Sequence, residues 1–409
     1  MSTNFAKKAA IAAAFAALAA TSAQAQVDFA QRNITQAYSL ADLIAVTGDG
    51  VTQLNDVETA TVTSDGRLIV SLESNAPTAF NNYLLELFPN GDGTNRRVIN
   101  EAGLDAGDLS GTASAPDFRF QTGVAVSGGT AVMADWDVLA GSAETRLVAV
   151  NLAAGTAASL GTSSPDLEAG SDIVPVAGGY AYIRGGGSFG ANDSLWFIDG
   201  TTGARTQVLA AADFETASGL GAGADSGFFT LATDSTNRLY IVAQDTTAAG
   251  TTTAPRSRIL RLDNPTVAST AANLTNVTPA PWETIGIRNF AVDTAGNFYI
   301  TAVQTGATPL AGQATLRVWN GTSEVVSLTT DALVAAAVNP DPAANAFDVR
   351  FTVGLTGRTI SATQSEVYLV NRNDGVDQGV AGDTYSILRV VFGASTAPAS
   401  ASGAWSLYE

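Results

Sequence analysis

The sequence predicts an all-β chain, a six-bladed β-propeller of four-stranded antiparallel blades, on three observations. A hairpin pattern of apolar strand, Gly/Asn/Asp turn and Tyr/Ile/Val/Leu-rich strand recurs six times. An apolar strand, often carrying arginine, follows each hairpin after a gap, and in most copies a polar turn then leads to a fourth strand. The repeat distance is roughly 60 residues, longer than the ~40–45 of a compact four-stranded blade, so each unit carries long loops. A solenoid would repeat at a shorter, stricter period. A sandwich array would show linkers, and no Pro/Ser-rich break follows residue 26.

The hairpins centre on Val62–Val70, Val124–Met133, Ile173–Ile183, Leu231–Ile241, Phe290–Ile300 and Ile360–Val370. Each joins β-branched or aromatic flanks through a polar turn, mostly Gly-, Asn- or Asp-containing, which is the chemistry of a tight antiparallel connection. The third strands read as Tyr83–Phe88, Arg146–Val150, Leu195–Ile198, Arg258–Leu262, Leu316–Trp319 and Tyr385–Val391. Asp199–Leu209 and Asn320–Val326 then show the turn into a fourth strand. Ring closure is left open. Trp405–Tyr408 suits the last strand of the last blade, and Ile34–Val46 suits either that place or a short helix capped by Ser39.

The connections from second to third strand are the long ones, about Glu73–Asn82, Asp135–Thr145, Arg184–Ser194, Gln244–Ser257, Gln304–Ala314 and Asn371–Thr384. They are rich in Gly, Thr, Asp and Asn, and they emerge on one face of a propeller, where function tends to sit over a rigid scaffold. Ile99–Leu104, Leu209–Phe214 and Asp331–Ala337 read as short helices between blades. Such helices would cover part of the same face.

Residues 1–25 read as a signal peptide, with Lys7 and Lys8 before an apolar run and Ala23-Gln24-Ala25 at the cleavage site. The apolar run of about 12 residues is too short to span a bilayer. The expectation is an exported chain, periplasmic or extracellular, whose residues 26–409 form one propeller domain with no membrane insertion. Cysteine is absent, which removes disulfides and thiolate metal sites. The net charge of −18 repels phosphate backbones and argues against a nucleic-acid partner.

The chain has no histidine, and its two lysines lie in the leader. The usual general base, the Ser-His-Asp and Cys-His arrangements and Schiff-base chemistry are therefore missing. Carboxylate acid–base work or a metal-bound water remains. Polar residues just before the first strands would ring the channel mouth: Asn55, Asp56, Glu58, Asp172, Arg288, Asn289, Asp348 and Arg350. Their carboxylates and amides suit a hard cation such as Ca²⁺. Asn90–Asn95 with Glu101 imitates a calcium loop, but Asn95 stands where the turn needs Gly, and a hairpin turn is the better reading.

The Asp-x-x-Gly-Asn-Phe-Tyr-Ile hairpin at Asp293–Ile300 resembles the six-bladed propellers of the NHL and SMP-30/gluconolactonase type. That resemblance implies a Ca²⁺ held at the channel mouth by a Glu, Asn and Asp set, for which Glu58, Asp172 and Asn289 are the positions here. Two functions follow as expectations. The loss of His and Lys points first to a non-enzymatic exported propeller that binds a protein, polymer or small-molecule partner through its loop-rich face. The alternative is a calcium-dependent hydrolase of the lactonase or esterase kind.

Overall fold

The computed structural model describes residues 27–51, 54, 56–74, 81–106, 120–139, 142–162, 170–184, 194–220, 226–245, 256–303, 314–329, 349–373 and 384–393. Six four-stranded antiparallel sheets form the blades of a propeller. Blade 1 contains β2 (Asp56–Val62), β3 (Leu68–Ser74), β4 (Asn81–Leu87) and β5 (Arg96–Asn100). Blade 2 contains β6 (Phe120–Ser127), β7 (Thr130–Leu139), β8 (Ser142–Asn151) and β9 (Thr156–Ser159). Blade 3 contains β10 (Gly170–Val176), β11 (Gly179–Arg184), β12 (Ser194–Asp199) and β13 (Arg205–Ala210).

Blade 4 contains β14 (Ser226–Thr233), β15 (Leu239–Asp245), β16 (Arg256–Leu262) and β17 (Leu274–Asn276). Blade 5 contains β18 (Gly286–Val292), β19 (Phe298–Val303), β20 (Ala314–Trp319) and β21 (Glu324–Thr329). Blade 6 takes β22 (Val349–Ser361), β23 (Gln364–Asn373) and β24 (Thr384–Phe392) from the end of the chain and β1 (Arg32–Tyr38) from its beginning. The first strands of successive blades are neighbours around the axis, and β22 meets β2 to close the ring.

The core is divided among the seams between blades. Each of six apolar clusters joins two neighbouring blades. Alternation along the second strands explains this. Leu68, Val70 and Leu72 face the blade 6/1 seam while Ile69 faces the 1/2 seam. Tyr180 and Tyr182 face blade 2 while Ala181 and Ile183 face blade 4. A strand buried on both faces reads as a continuous apolar run, which is why the second strands stood out in the sequence. The outermost strands are short or polar, as exposed sheet edges tend to be.

The N-terminal segment supplies both of the elements between which the sequence left the choice open. β1 is the fourth strand of blade 6, paired with β24 from Arg32 opposite Phe392 to Tyr38 opposite Ile387. Helix α1 (Leu40–Thr47) follows, with Ser39 as N-cap: its Oγ accepts from Asp42 N while Asp42 Oδ2 accepts from Ser39 N. The Trp405–Tyr408 segment and the expected signal peptide lie outside the described residues.

Two more helices lie in blade-to-blade crossings, α2 (Glu101–Ala106) between β5 and β6 and α3 (Ala211–Ser218) between β13 and β14. Both begin two residues later than the sequence suggested, and the Asp331–Ala337 segment lies outside the described residues. In blade 2 the expected loop Asp135–Thr145 is instead mostly strand. β7 and β8 continue pairing from Asp135 opposite Arg146 to Leu139 opposite Ser142. Trp136, Val138 and Thr145 carry the β propensity that the Asp and Gly content of the segment masked.

Candidate channel-mouth site

Every first strand is bulged at the same level, shortly after its start. In β2, β10, β14 and β18 a single extra residue is inserted against the second strand: Glu58, Ser171, Phe229 and Arg288. In β6 and β22 two extra residues stand between Phe120 and Val124 and between Arg350 and Gly354. A bulge twists its strand and re-aims the inserted side chain, and bulges gather beside active sites. The sequence carried a signal for them that strict alternation hides. Buried apolar residues step by three across the single bulges of β2 and β18, from Val57 to Ala60 and from Ile287 to Phe290, instead of by two.

At the end of or directly after the bulges comes a ring of equivalent positions: Thr59, Gly123, Asp172, Thr230, Asn289 and Gly354, each preceding a residue packed into a seam. Asp172 ties blade 3 to blade 4 at this level and lies against blade 2. Its Oδ2 accepts from Leu231 N at 2.8 Å and Thr230 Oγ1 at 3.1 Å in blade 4, and its Oδ1 accepts from Ile173 N at 2.8 Å. On its other side lies Gly123 of blade 2 at φ +43°, where a Cβ would stand 2.1 Å from Asp172 Oδ1. Only glycine fits there.

Burial pushes the Asp172 carboxyl up to about 6, against the lowering pull of its three hydrogen bonds. The residue as a whole keeps partial exposure while protein surrounds its carboxylate.

Asn289 is buried at the same level in blade 5, and its Nδ2 donates to Thr301 Oγ1 on the next strand at 2.9 Å. Glu58 is the inserted residue of the β2 bulge in blade 1. The three expected metal residues thus come from alternate blades, at or next to the bulge level. Arg288 is the inserted residue of the β18 bulge, while Asp56 and Arg350 lie at strand starts. Asn55 and Asp348 lie outside the described residues.

As donors, Glu58, Asp172 and Asn289 offer the oxygen atoms that a hard cation takes. The departure from an open ligand set is Asp172, whose oxygens already serve Ile173, Leu231 and Thr230. Among the described residues no group of three or more Asp or Glu side chains stands together as a metal site.

The Asn90–Asn95 segment is the turn between β4 and β5. Asn95 Oδ1 accepts from Phe88 N and Tyr38 Oη, and Glu101 Oε2 accepts from the Asn82 backbone and side chain. Asn95 thus holds the turn, and Glu101 holds the start of β4. Of the long second-to-third connections, 75–80, 185–193, 246–255, 304–313 and 374–383 lie outside the described residues.

No protein-family model and no curated protein matches the sequence. Solved structures do resemble it. An α-L-arabinanase of Penicillium chrysogenum is 9% identical with a TM-score of 0.48, over 80% of this chain and 91% of that one. An α-L-arabinofuranosidase of Fusarium graminearum is 12% identical with a TM-score of 0.44, over 82% and 92%. A Trypanosoma rangeli sialidase is 8% identical with a TM-score of 0.45, over 88% of this chain and 57% of that one.

Likeness at this level speaks to fold. Most of those similar structures are enzymes, and the expectation of a non-enzymatic binding propeller is corrected on the chemistry of the chain itself. The physical error lay in treating the loss of His and Lys as the loss of catalysis. Carboxylates alone serve as acid, base and nucleophile in hydrolysis.

Proposed function

We propose that the chain is a hydrolase of the lactone- or ester-cleaving kind, working at the bulged channel mouth with calcium as its cation. The observation that carries this reading is the bulge repeated in all six first strands. Glu58 is the inserted residue one position before the ring level that Asp172 and Asn289 occupy on alternate blades, which supports grouping the three. The resemblance of Asp293–Ile300 to the gluconolactonase type supports the same substrate class.

Calcium, when bound among these oxygens, would polarise a carbonyl and lower the pKa of a water. The chain's own residues do the rest. Asp172 would serve as a fixed oxygen donor beside the cation, its Oδ1 held by the backbone of Ile173. Thr230 and the backbone of Leu231 fix the other oxygen, so the carboxyl cannot rotate. Asn289 is held by Thr301, which keeps its amide in one orientation.

The test is turnover of a panel of γ- and δ-lactones and aryl esters in excess Ca²⁺ and again in EDTA, with thermal unfolding under both conditions. Cleavage in calcium that is lost in chelator supports the reading. Calcium at 100 times its Kd should also raise stability by about 2.7 kcal/mol. No turnover of either class together with an unmoved midpoint overturns it.

A further inference from the structure

Among the described strands, β1 is the one that completes a blade whose other strands come from the far end of the chain. β1 lies at the outer edge of that blade, and from Arg32 to Ala37 its side chains are exposed or half-buried. It is held by the backbone ladder to β24 and by anchors at its two ends. At the first end Val27 and Phe29 enter the blade 5/6 seam, with the Phe29 ring 5.3 Å from Phe392 and 6.4 Å from Tyr299. Gly393 N donates to Gln31 O there at 2.8 Å. At the other end Tyr38 Oη donates to Asn95 Oδ1 at 3.1 Å, Leu43 is buried, and Arg97 Nη1 donates to Thr47 O at 2.6 Å.

The inner seam between blades 6 and 1 has its own bonds. Val62 N donates to Thr356 Oγ1 at 3.0 Å, and Arg358 Nη1 donates to Ser64 O at 2.9 Å. Tyr368 and Val370 pack there with Val57, Ala60, Leu68 and Val70. The ring is therefore held shut near the axis by contacts that do not involve β1.

We infer that Val27–Tyr38 is a clasp that opens locally, with Phe29 as its latch, while the inner ring stays closed. Opening breaks one ladder and withdraws Val27, Phe29 and Tyr38 from the two seams that flank blade 6, and it leaves the four seams among blades 1 to 5 intact. Such a unit belongs at the low end of the range of local stabilities, below the buried second strands. It frees the outer edge of β24 without unfolding a blade.

Hydrogen exchange by mass spectrometry on the full chain tests this. The β1 amides that bond to β24 should exchange as a unit, roughly tenfold or more faster than the bonded amides of β13 and β21, the outermost strands of blades 3 and 5. Phe29→Ala should speed β1 by about a further tenfold and leave β3 and β23 unchanged. Phe29→Leu should give a smaller change in the same place, and serves if the alanine variant fails to fold. Protection of β1 equal to that of β13 and β21 overturns the inference. So does a Phe29 substitution that speeds β3 and β23 as much as β1.

Discussion

Asp293 and Asp172 stand at opposite ends of the first strands, and the chain uses them differently. Asp293 lies at the hairpin end of blade 5, where Oδ1 accepts from Ala295 N and Asn297 N and Oδ2 accepts from Asn297 Nδ2. Tyr299 Oη completes the set, bridging Asp293 Oδ2 at 2.7 Å and Ser365 of blade 6 at 2.8 Å. Asp234 does the same work in blade 4 with Thr236, Tyr240 and an arginine, Arg238. Burial raises the Asp234 carboxyl, but the bonds from Arg238 and Thr236 outweigh it and hold it at about 2. Asp172 receives bonds from neutral groups only, so burial wins and its carboxyl rises to about 6. The hairpin end spends its carboxylates on the fold. The bulged end keeps one poised to change charge near neutrality, which is where such groups mark chemistry.

Removing Asp293 should cost most. Asp293→Ala strands four donors inside a buried turn and should lower stability by about 3 kcal/mol, read from urea unfolding. A loss below about 1 kcal/mol would break the view that the hairpin end is structural.

Next comes Gly203→Ala. At φ +69° its Cβ would meet Gly161 Cα at 2.5 Å, where the turn of blade 3 leans on blade 2. A loss of about 2 kcal/mol is expected, from left-handed strain and a backbone clash together.

The fold was legible because it is repetitive and local. The turn chemistry of Asp293–Asn297 and the apolar run Leu68–Leu72 each report their own strand, so six copies gave six blades. The site was legible only in residue type. Glu58 and Arg288 could be placed near strand starts, yet nothing short of the broken apolar spacing showed that both are bulge residues. The Asp172 bridge was hidden because its partners, Thr230 and Leu231, are 58 and 59 residues away. Ring closure was ambiguous because pairing Arg32 with Phe392 is a property of the whole ring.

The two kinds of carboxylate also predict opposite slopes of stability with pH. Asp172 has a raised pKa in the fold, so the native state binds its proton more tightly than the unfolded chain. Its contribution should improve as pH falls from 7 through 6, levelling off below the ordinary value of 3.8. Asp234 is depressed, so its contribution is complete above 3.8 and is lost as pH falls through about 2. Urea midpoints from pH 8 to pH 2 should therefore rise and then fall. Asp172→Asn should flatten the first limb and Asp234→Asn the second. A rise that survives Asp172→Asn would remove the distinction between the two ends.

Glu58→Gln tests the division of labour most directly, because it changes one inserted bulge residue and nothing in the hairpin network. The account predicts that lactone or ester turnover in calcium falls by about 100-fold or more while the urea midpoint in EDTA stays where it was. Unchanged turnover, or a loss that merely follows a lowered midpoint, would contradict it.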